Sequence, residues 1–198
     1  MLRTFVRHGS NGALVLAVVV LAVLLGAGVL VFAPLALLAG AATFFVSEYT
    51  THRFVLHAKP VAHPFVLRLQ QRLHYDHHRV PDRLDLLFLP LWFVIPVVGA
   101  FAAIAWLVTR SAGGTASATL GALAAMLWYE WVHYVAHIPF VPRTAVGRWI
   151  KKHHLRHHFL SERHWFGVTS PVMDVLGRTM RASDEVERSA TTRVLYPR

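Results

Sequence analysis

Four long apolar stretches, separated by polar or turn-rich segments, dominate the chain. The first, residues 13–33, has 21 residues without a charge, which is enough to cross the hydrocarbon core of a bilayer as a helix. The second occupies residues 35–46 and becomes polar toward its end, the third covers 86–108 and the fourth about 115–137. The pattern predicts an all-α integral membrane protein with four transmembrane helices arranged as two hairpins.

A cleaved signal peptide is the alternative interpretation of the first stretch, because Arg3 and Arg7 precede it. Its apolar run is longer than the roughly 7–15 residues typical of a signal-peptide core, and another apolar stretch follows almost at once. These two features favour a retained transmembrane helix.

The charge distribution sets the expected topology. The net charge is +10, although 55% of the residues are hydrophobic. With a cytoplasmic N-terminus, 19 of the 20 Lys and Arg residues fall on the cytoplasmic side and only Arg110 on the other. Because the basic excess alternates with the apolar stretches, a nucleic-acid partner is not expected. The excess of Arg over Lys, 17 against 3, is typical of a GC-rich bacterial genome and indicates a bacterial inner membrane.

The domain organisation follows from the same pattern. We expect residues 1–180 to form one membrane domain, in which the polar segments at about 59–85 and after 138 make a cytoplasmic helical cap. Residues 181–198 are predicted to be a polar, loosely ordered C-terminal tail. The chain has no cysteine, which excludes disulfide staples and thiolate-ligated metal sites.

Ten of the 14 histidines fall into four clusters at the predicted cytoplasmic ends of the helices. The clusters are His52 and His57 (HxxxxH), His74, His77 and His78 (HxxHH), His133 and His137 (HxxxH), and His154, His157 and His158 (HxxHH). Four clusters on one membrane face are hard to explain by folding requirements alone. They predict a histidine-rich metal centre in the cytoplasmic cap.

The spacings suggest how the imidazoles converge. Positions i, i+3 and i+4 share a helix face, so each HxxHH is expected to direct its three rings at one point. His52 and His57 lie roughly 140° apart on an ideal helix. Either the helix loosens there or the two residues serve different metals, and we favour the second. Since ten imidazoles exceed what one ion coordinates, two ions with about five histidines each are expected.

The ligand type restricts the metal, and two acidic residues accompany the ligands. Neutral imidazoles suit iron, zinc or copper rather than calcium or magnesium. Glu130 lies on the helix face of the HxxxH pair, and Glu48 lies four residues before His52. Because ionisable residues at membrane depth are functional candidates, both carboxylates are expected to orient ligand imidazoles from outside the coordination sphere.

Two further histidines leave the ligand set open. His153 lies four residues before His157 and could replace His154, although His154 is preferred because it completes the second HxxHH. His164 is a candidate outer ligand without a partner at ligand spacing.

The four boxes, in this order, resemble those of the fatty acid hydroxylase/sterol desaturase superfamily of membrane oxygenases, and most of all its fatty acid 2-hydroxylase branch. The likeness covers about residues 40–180 and includes the segment 166–171 with Asp174 after the last box. Two departures stand out. Met173 takes the place of a frequent tryptophan, and these 198 residues hold no fused cytochrome b-type domain.

The resemblance implies a centre of two iron ions held by the ten box histidines, at sites that zinc can occupy in purified protein. It implies hydroxylation of a lipid acyl chain, at carbon 2 in the nearest branch. Dioxygen and a separate electron-donor protein would take part, with no organic cofactor and no catalytic side chain beyond the metal ligands.

Rival hypotheses remain. The nearest is a carotenoid-ring or other lipid hydroxylase of the same superfamily. A haem-binding membrane cytochrome also needs helical histidines, but HxxHH triplets supply more imidazoles than haem uses. A metal transporter would place its ligands near the bilayer midplane and often include carboxylates.

Overall fold

The computed structural model describes residues 1–196, which form helices joined by turns and irregular segments, with no strand in that range. The α-helices are α1 (Leu2–Arg7), α2 (Gly9–Gly26), α3 (Pro34–Thr51), α4 (Pro64–Gln70), α5 (Asp76–Arg79), α6 (Leu84–Leu87), α7 (Leu91–Thr109), α8 (Ala112–His137), α9 (Ala145–Phe159) and α10 (Val172–Leu176). Two π-helical turns, His52–Leu56 and Gln71–Tyr75, interrupt this series. The predicted all-α class is confirmed.

Two helical stretches among residues 1–196, Gly9–Gly26 and Leu84–Thr109, are long and apolar enough to cross a membrane by length and composition. The predicted second and fourth spans lie in α3 and α8. Those helices are less apolar because α3 ends in Ser-Glu-Tyr-Thr-Thr and α8 is rich in Gly, Ser and Thr. The arrangement of four spans therefore stays a prediction.

The chain divides into two compact units. The first unit contains Met1–Phe45 and Leu89–Glu130, and the second contains Val46–Phe88 and the residues from Trp131 onward. Residues 181–196 thus belong to the second unit, while the predicted domain boundary at residue 180 stays a prediction. The last two residues of the predicted tail, 197 and 198, lie outside the described range.

The first unit has an apolar core and a close helix contact. Leu14, Val94, Leu123 and Met126 form the buried centre of its core. A Cβ added at Gly40 would lie 2.0 Å from the carbonyl oxygen of Ala118, and one at Gly121 would lie 2.0 Å from that of Leu37. Because only glycine leaves room for such a backbone approach, these residues let α3 and α8 pack tightly within this unit.

The second unit contains all four histidine boxes. They lie in the first π-helical turn and at His57 directly after it, in the second π-helical turn and α5, at the end of α8 and in α9. Lys151 secures the end of α8 by donating from Nζ to the carbonyl oxygens of Val135, Ile138 and Phe140, at 2.7–2.9 Å. These carbonyls include the unpaired ones that every helix C-terminus leaves, so the lysine acts as a cap.

Candidate metal centre

The ten box histidines form two groups of five within the second unit. Group A contains His52, His57, His74, His78 and His157, and group B contains His77, His133, His137, His154 and His158. Each residue offers one ring nitrogen, and these nitrogens lie within 4.8 Å of one another in each group. Eight of the ten side chains are buried, while His57 and His137 are partly buried.

Both histidines of the first box, His52 and His57, belong to group A because the helix is wider between them. The N–H of His57 donates to the carbonyl of His52 at 3.0 Å, five residues back, which is the π-helical pattern. The wider turn brings the two rings to one side, with centroids 5.0 Å apart. Of the two alternatives for this box, the looser helix is correct. The favoured hypothesis, that the two residues serve different groups, is wrong.

Each HxxHH box is divided between the groups, so the expectation that its three rings meet at one point is wrong. In both boxes the first and third histidines, four residues apart, stay together and the middle one joins the other group. Adjacent positions on a helix diverge by about 100°, whereas positions four apart differ by only about 40°. The neighbouring His77 and His78 therefore point into different groups, as do His157 and His158.

The ring nitrogens converge closely inside each group. In group A, Nε2 of His57 lies 2.6 Å from Nε2 of His74 and 3.0 Å from Nε2 of His157. Group B shows matching Nε2–Nε2 distances of 3.0 Å for His77 and His133 and 2.9 Å for His137 and His154.

The two groups are neighbours. The rings of His78 in group A and His158 in group B stack with centroids 4.2 Å apart and an interplanar angle of 24°. This stacked pair joins the two groups directly.

Three rings of group A are oriented by backbone carbonyls. Nδ1 of His52 donates to the carbonyl of Phe166 at 2.5 Å, and Nδ1 of His157 donates to that of His164 at 2.8 Å. Nδ1 of His78 donates to the carbonyl of Thr192 at 2.9 Å. A carbonyl can only accept, so Nδ1 carries the proton in all three rings. Their Nε2 atoms are left as free ligand atoms, which is the usual outer bonding of metal-binding histidines.

A buried carboxylate holds the segment that carries one of these carbonyls. Asp174 accepts the N–H groups of Phe166 and Gly167, each at 2.8 Å, and the hydroxyl of Thr179 at 2.6 Å. Nε2 of His153 also donates to it, at 2.9 Å. Burial alone would raise the pKa of Asp174, but the hydrogen bonds from His153, Thr179 and Gly167 outweigh it and hold the pKa below its usual value.

Glu48, predicted to orient His52, binds the same segment. One carboxylate oxygen accepts the N–H of Val168 at 2.7 Å, and the other accepts the hydroxyl of Thr169. Glu48 thus reaches His52 through the 166–169 backbone, whose Phe166 carbonyl is the actual partner of the ring.

Glu130, the other predicted carboxylate, lies in the first unit. Its side chain is fully buried, and Oε1 accepts the N–H of Leu89 at 3.0 Å. Its proposed influence on the histidines stays a prediction.

The structure separates His153 from His154 and locates His164, the positions that the sequence left open. His154 belongs to group B, whereas His153 pairs with Asp174 and lies in neither group. The ring of His164 lies near Ser161, with Nδ1 3.3 Å from its Oγ, while the backbone carbonyl of His164 binds His157. Spacing alone could not separate adjacent His153 and His154, because both lie within one turn of His157.

The electrostatics of the groups suit metal binding. Burial lowers the pKa of His78 to about 3, and it lowers the pKa of His74, His77 and His158 well below the usual value. These imidazoles stay neutral at physiological pH, as ligands must. The buried Nε2 atoms of His78 and His158 have no hydrogen-bond partner among residues 1–196. Neutral, converging nitrogens with unpaired buried lone pairs fit metal ions.

The comparison with known proteins agrees with this geometry. The family model for fatty acid hydroxylase matches residues 36–179. The human fatty acid 2-hydroxylase is 32% identical over 136 residues, covering 67% of this chain and 36% of that protein. The Arabidopsis thaliana dihydroceramide fatty acyl 2-hydroxylase FAH2 is 32% identical over 143 residues, covering 71% and 58%.

A solved structure supports the fold. The structure titled "Full length scs7p (only hydroxylase domain visible)" matches with a TM-score of 0.72 and 22% identity, covering 90% of this chain and 66% of that one. The chain belongs to the fatty acid hydroxylase family, as the resemblance of its histidine boxes predicts. It spans about a third of the human relative and less than three fifths of the plant one.

Proposed function

We propose that this protein is a membrane-bound di-iron oxygenase that hydroxylates a lipid acyl chain, at carbon 2, using dioxygen and electrons from a separate donor protein. The observation that carries the proposal is the pair of adjacent all-imidazole groups in a chain of the fatty acid hydroxylase family. The names of the human and plant relatives, a fatty acid 2-hydroxylase and a dihydroceramide fatty acyl 2-hydroxylase, favour carbon 2 and an acyl substrate.

Group A would hold one ion and group B the other. When bound, a pair of iron ions supplies the redox chemistry by which dioxygen and two electrons, with two protons, turn a C–H bond into C–OH and release one water. Zinc occupies such sites without supplying redox chemistry, so iron is the metal of the active protein in this proposal.

The residues around the groups position the imidazoles and cover part of group A. The carbonyls of Phe166, His164 and Thr192 hold the Nδ1 protons and so present Nε2 of three group A rings. The buried ring of Phe166 packs against His52 and His57, with centroids 5.7 and 5.2 Å away. This apolar ring covers one side of the two imidazoles.

The proposed setting is a bacterial inner membrane with the metal centre on the cytoplasmic side. The support is the charge pattern, in which Arg110 alone falls outside the cytoplasmic segments. Such a centre would meet a soluble electron donor and an acyl chain from the bilayer. The four-span topology belongs to this proposal.

Lipid analysis of cells with and without the gene tests the activity. Expression should add 2-hydroxy acyl chains, detected by mass spectrometry. Iron analysis of the same protein should give about two ions per chain. If hydroxylated carotenoids are found without 2-hydroxy acyl chains, the proposed acyl substrate is wrong. A haem absorption band in the purified protein would overturn the di-iron assignment.

A further inference from the structure

Residues 189–196 follow the part of the chain matched by the family model. They form several hydrogen bonds with other residues of the second unit. The N–H of Ser189 donates to the carbonyl of Leu160 at 2.8 Å. The hydroxyls of Ser189 and Thr191 donate to the buried Glu162 at 3.0 and 2.6 Å. This part of the predicted loosely ordered tail is therefore hydrogen-bonded to Leu160 and Glu162, just after the last histidine box.

The same segment reaches two members of group A. The carbonyl of Thr192 accepts from Nδ1 of His78 at 2.9 Å. The hydroxyl of Tyr196 donates to the backbone carbonyl of His57 at 2.7 Å. Thr192 is only 6% exposed, so its bond to the ring is shielded from water, which raises the cost of losing it.

A third hydrogen bond joins the segment to the backbone just after His78. The guanidinium of Arg193 donates to the carbonyl of Arg79, one residue after His78, at 2.9 Å. The segment thus binds the ring of His78 through Thr192 and the backbone beside it through Arg193. His78 also stacks on His158 of group B, so its orientation bears on how the two groups face each other.

We propose that residues 189–196 are a positioning element of the metal centre, with the Thr192 carbonyl orienting His78 so that its Nε2 faces the ion of group A. The inference rests on the proposed function, since it takes group A to be a metal site. Thr192 touches neither metal nor substrate and acts through His78. The general expectation for such an outer partner is a change of roughly 10–100-fold in metal affinity when it is removed.

The first experiment compares the full chain with a variant lacking residues 189–198. Both are purified without metal and titrated with Co²⁺ against a competing chelator, following the ligand-field absorption. In the truncated variant, one site should lose roughly 10–100-fold in affinity while the other stays as in the full chain. The unchanged second site also reports that the variant is folded. Two sites with the affinities of the full chain would overturn the proposal.

A second variant changes only the acceptor. Replacing the 192–193 amide by an ester, through the α-hydroxy acid analogue of arginine at position 193, makes the Thr192 carbonyl a weaker acceptor and keeps every side chain, including that of Arg193. One site should again lose affinity, by less than in the truncation. The matched control is an ester between Glu187 and Arg188, which are both exposed and should leave both sites unchanged. Equal effects of the two esters would contradict the proposal.

The outcomes separate this inference from the proposed function. Tight binding of two Co²⁺ by the full chain and by all variants would refute the positioning role alone. Two sites that respond as expected, in a protein whose iron form makes no hydroxylated lipid, would refute the oxygenase proposal and leave the positioning role intact. A full chain that binds no metal would refute both.

Discussion

Groups A and B contain five imidazoles each, but the polypeptide holds them differently. In group A, the Nδ1 atoms of His52, His78 and His157 donate to backbone carbonyls. In group B, the buried Nδ1 atoms of His77, His154 and His158 have no hydrogen-bond partner among residues 1–196. Group A is thus oriented by the chain, whereas these group B rings are held by packing against one another.

The difference has a structural cause. The carbonyls that serve group A belong to irregular segments, at residues 164–166 and 192, where no helical N–H competes for them. Group B draws its ligands from α5, α8 and α9, and the carbonyls within a helix already accept from N–H groups four residues on. Non-helical backbone thus supplies the outer acceptors of these three group A rings, whereas the helical carbonyls near group B already accept from helical N–H groups. We therefore expect group A to bind its ion more tightly.

Removal of one ligand from each group should have the largest effect. His157→Ala in group A and His77→Ala in group B should each lower hydroxylation more than about 100-fold, since even outer partners cost roughly 10–100-fold. Each variant should lose the ion of its own group, measured as metal per chain by elemental analysis. The exposed His63→Ala is the control and should keep both ions and full activity. Full activity of either ligand variant would refute the assignment of the groups.

Chelation should separate the groups next. We expect biphasic metal loss from the full chain, with the faster phase from group B because Nδ1 of three of its rings, in His77, His154 and His158, has no acceptor among residues 1–196. The phases are followed by the absorption of a chelator–metal complex. In His77→Ala the fast phase should disappear, and in His157→Ala the slow one. If the fast phase survives in His77→Ala, it comes from group A, and the expected order of the two metal affinities is wrong.

Loss of the carboxylate behind the Phe166 carbonyl should have a smaller effect, confined to group A. Asp174→Asn removes one of the oxygens that hold Phe166 and Gly167 and leaves a buried donor unpaired, so it should cost about 1–3 kcal/mol of stability. Affinity of group A should fall while that of group B stays. Thermal unfolding and Co²⁺ titration measure the two effects, and equal losses at both groups would argue against the separate support of group A.

The stability effect of Asp174 should depend on pH in a defined direction. Its pKa is lower in the folded protein than the usual value of about 3.8, so its charge contributes stability at pH values above about 4. That contribution disappears as the pH falls through the lowered folded pKa. The difference in unfolding temperature between metal-free wild type and Asp174→Asn should therefore shrink at acidic pH. A difference that grows on acidification would contradict this sign.

The smallest effect should come from the end of α8, which carries two ligands of group B. Lys151→Met removes three hydrogen bonds to carbonyls there and should lower the unfolding temperature by a few degrees. Affinity of group B should fall less than tenfold, because the ligand rings themselves remain. Lys152→Met, at an exposed neighbour, is the matched control. Identical behaviour of the two variants would exclude a capping role for Lys151.

The sequence by itself determined the helical class, the ten histidines that meet in the second unit and the kind of metal that suits them, because helix periodicity and ligand type are local properties. It did not determine how the boxes are divided. His77 and His78 are neighbours in the chain but join different groups, and a π-helical turn brings His52 and His57 together.

Only the tertiary structure decided which acceptors orient the rings. Phe166 lies 114 residues from His52, and Thr192 lies 114 residues from His78. Any residue supplies a carbonyl, so a backbone acceptor leaves no mark on the sequence. The same reason conceals the role of residues 189–196, whose polar composition predicts a loose tail. Packing of distant segments, rather than the pattern of any one segment, makes group A and group B different.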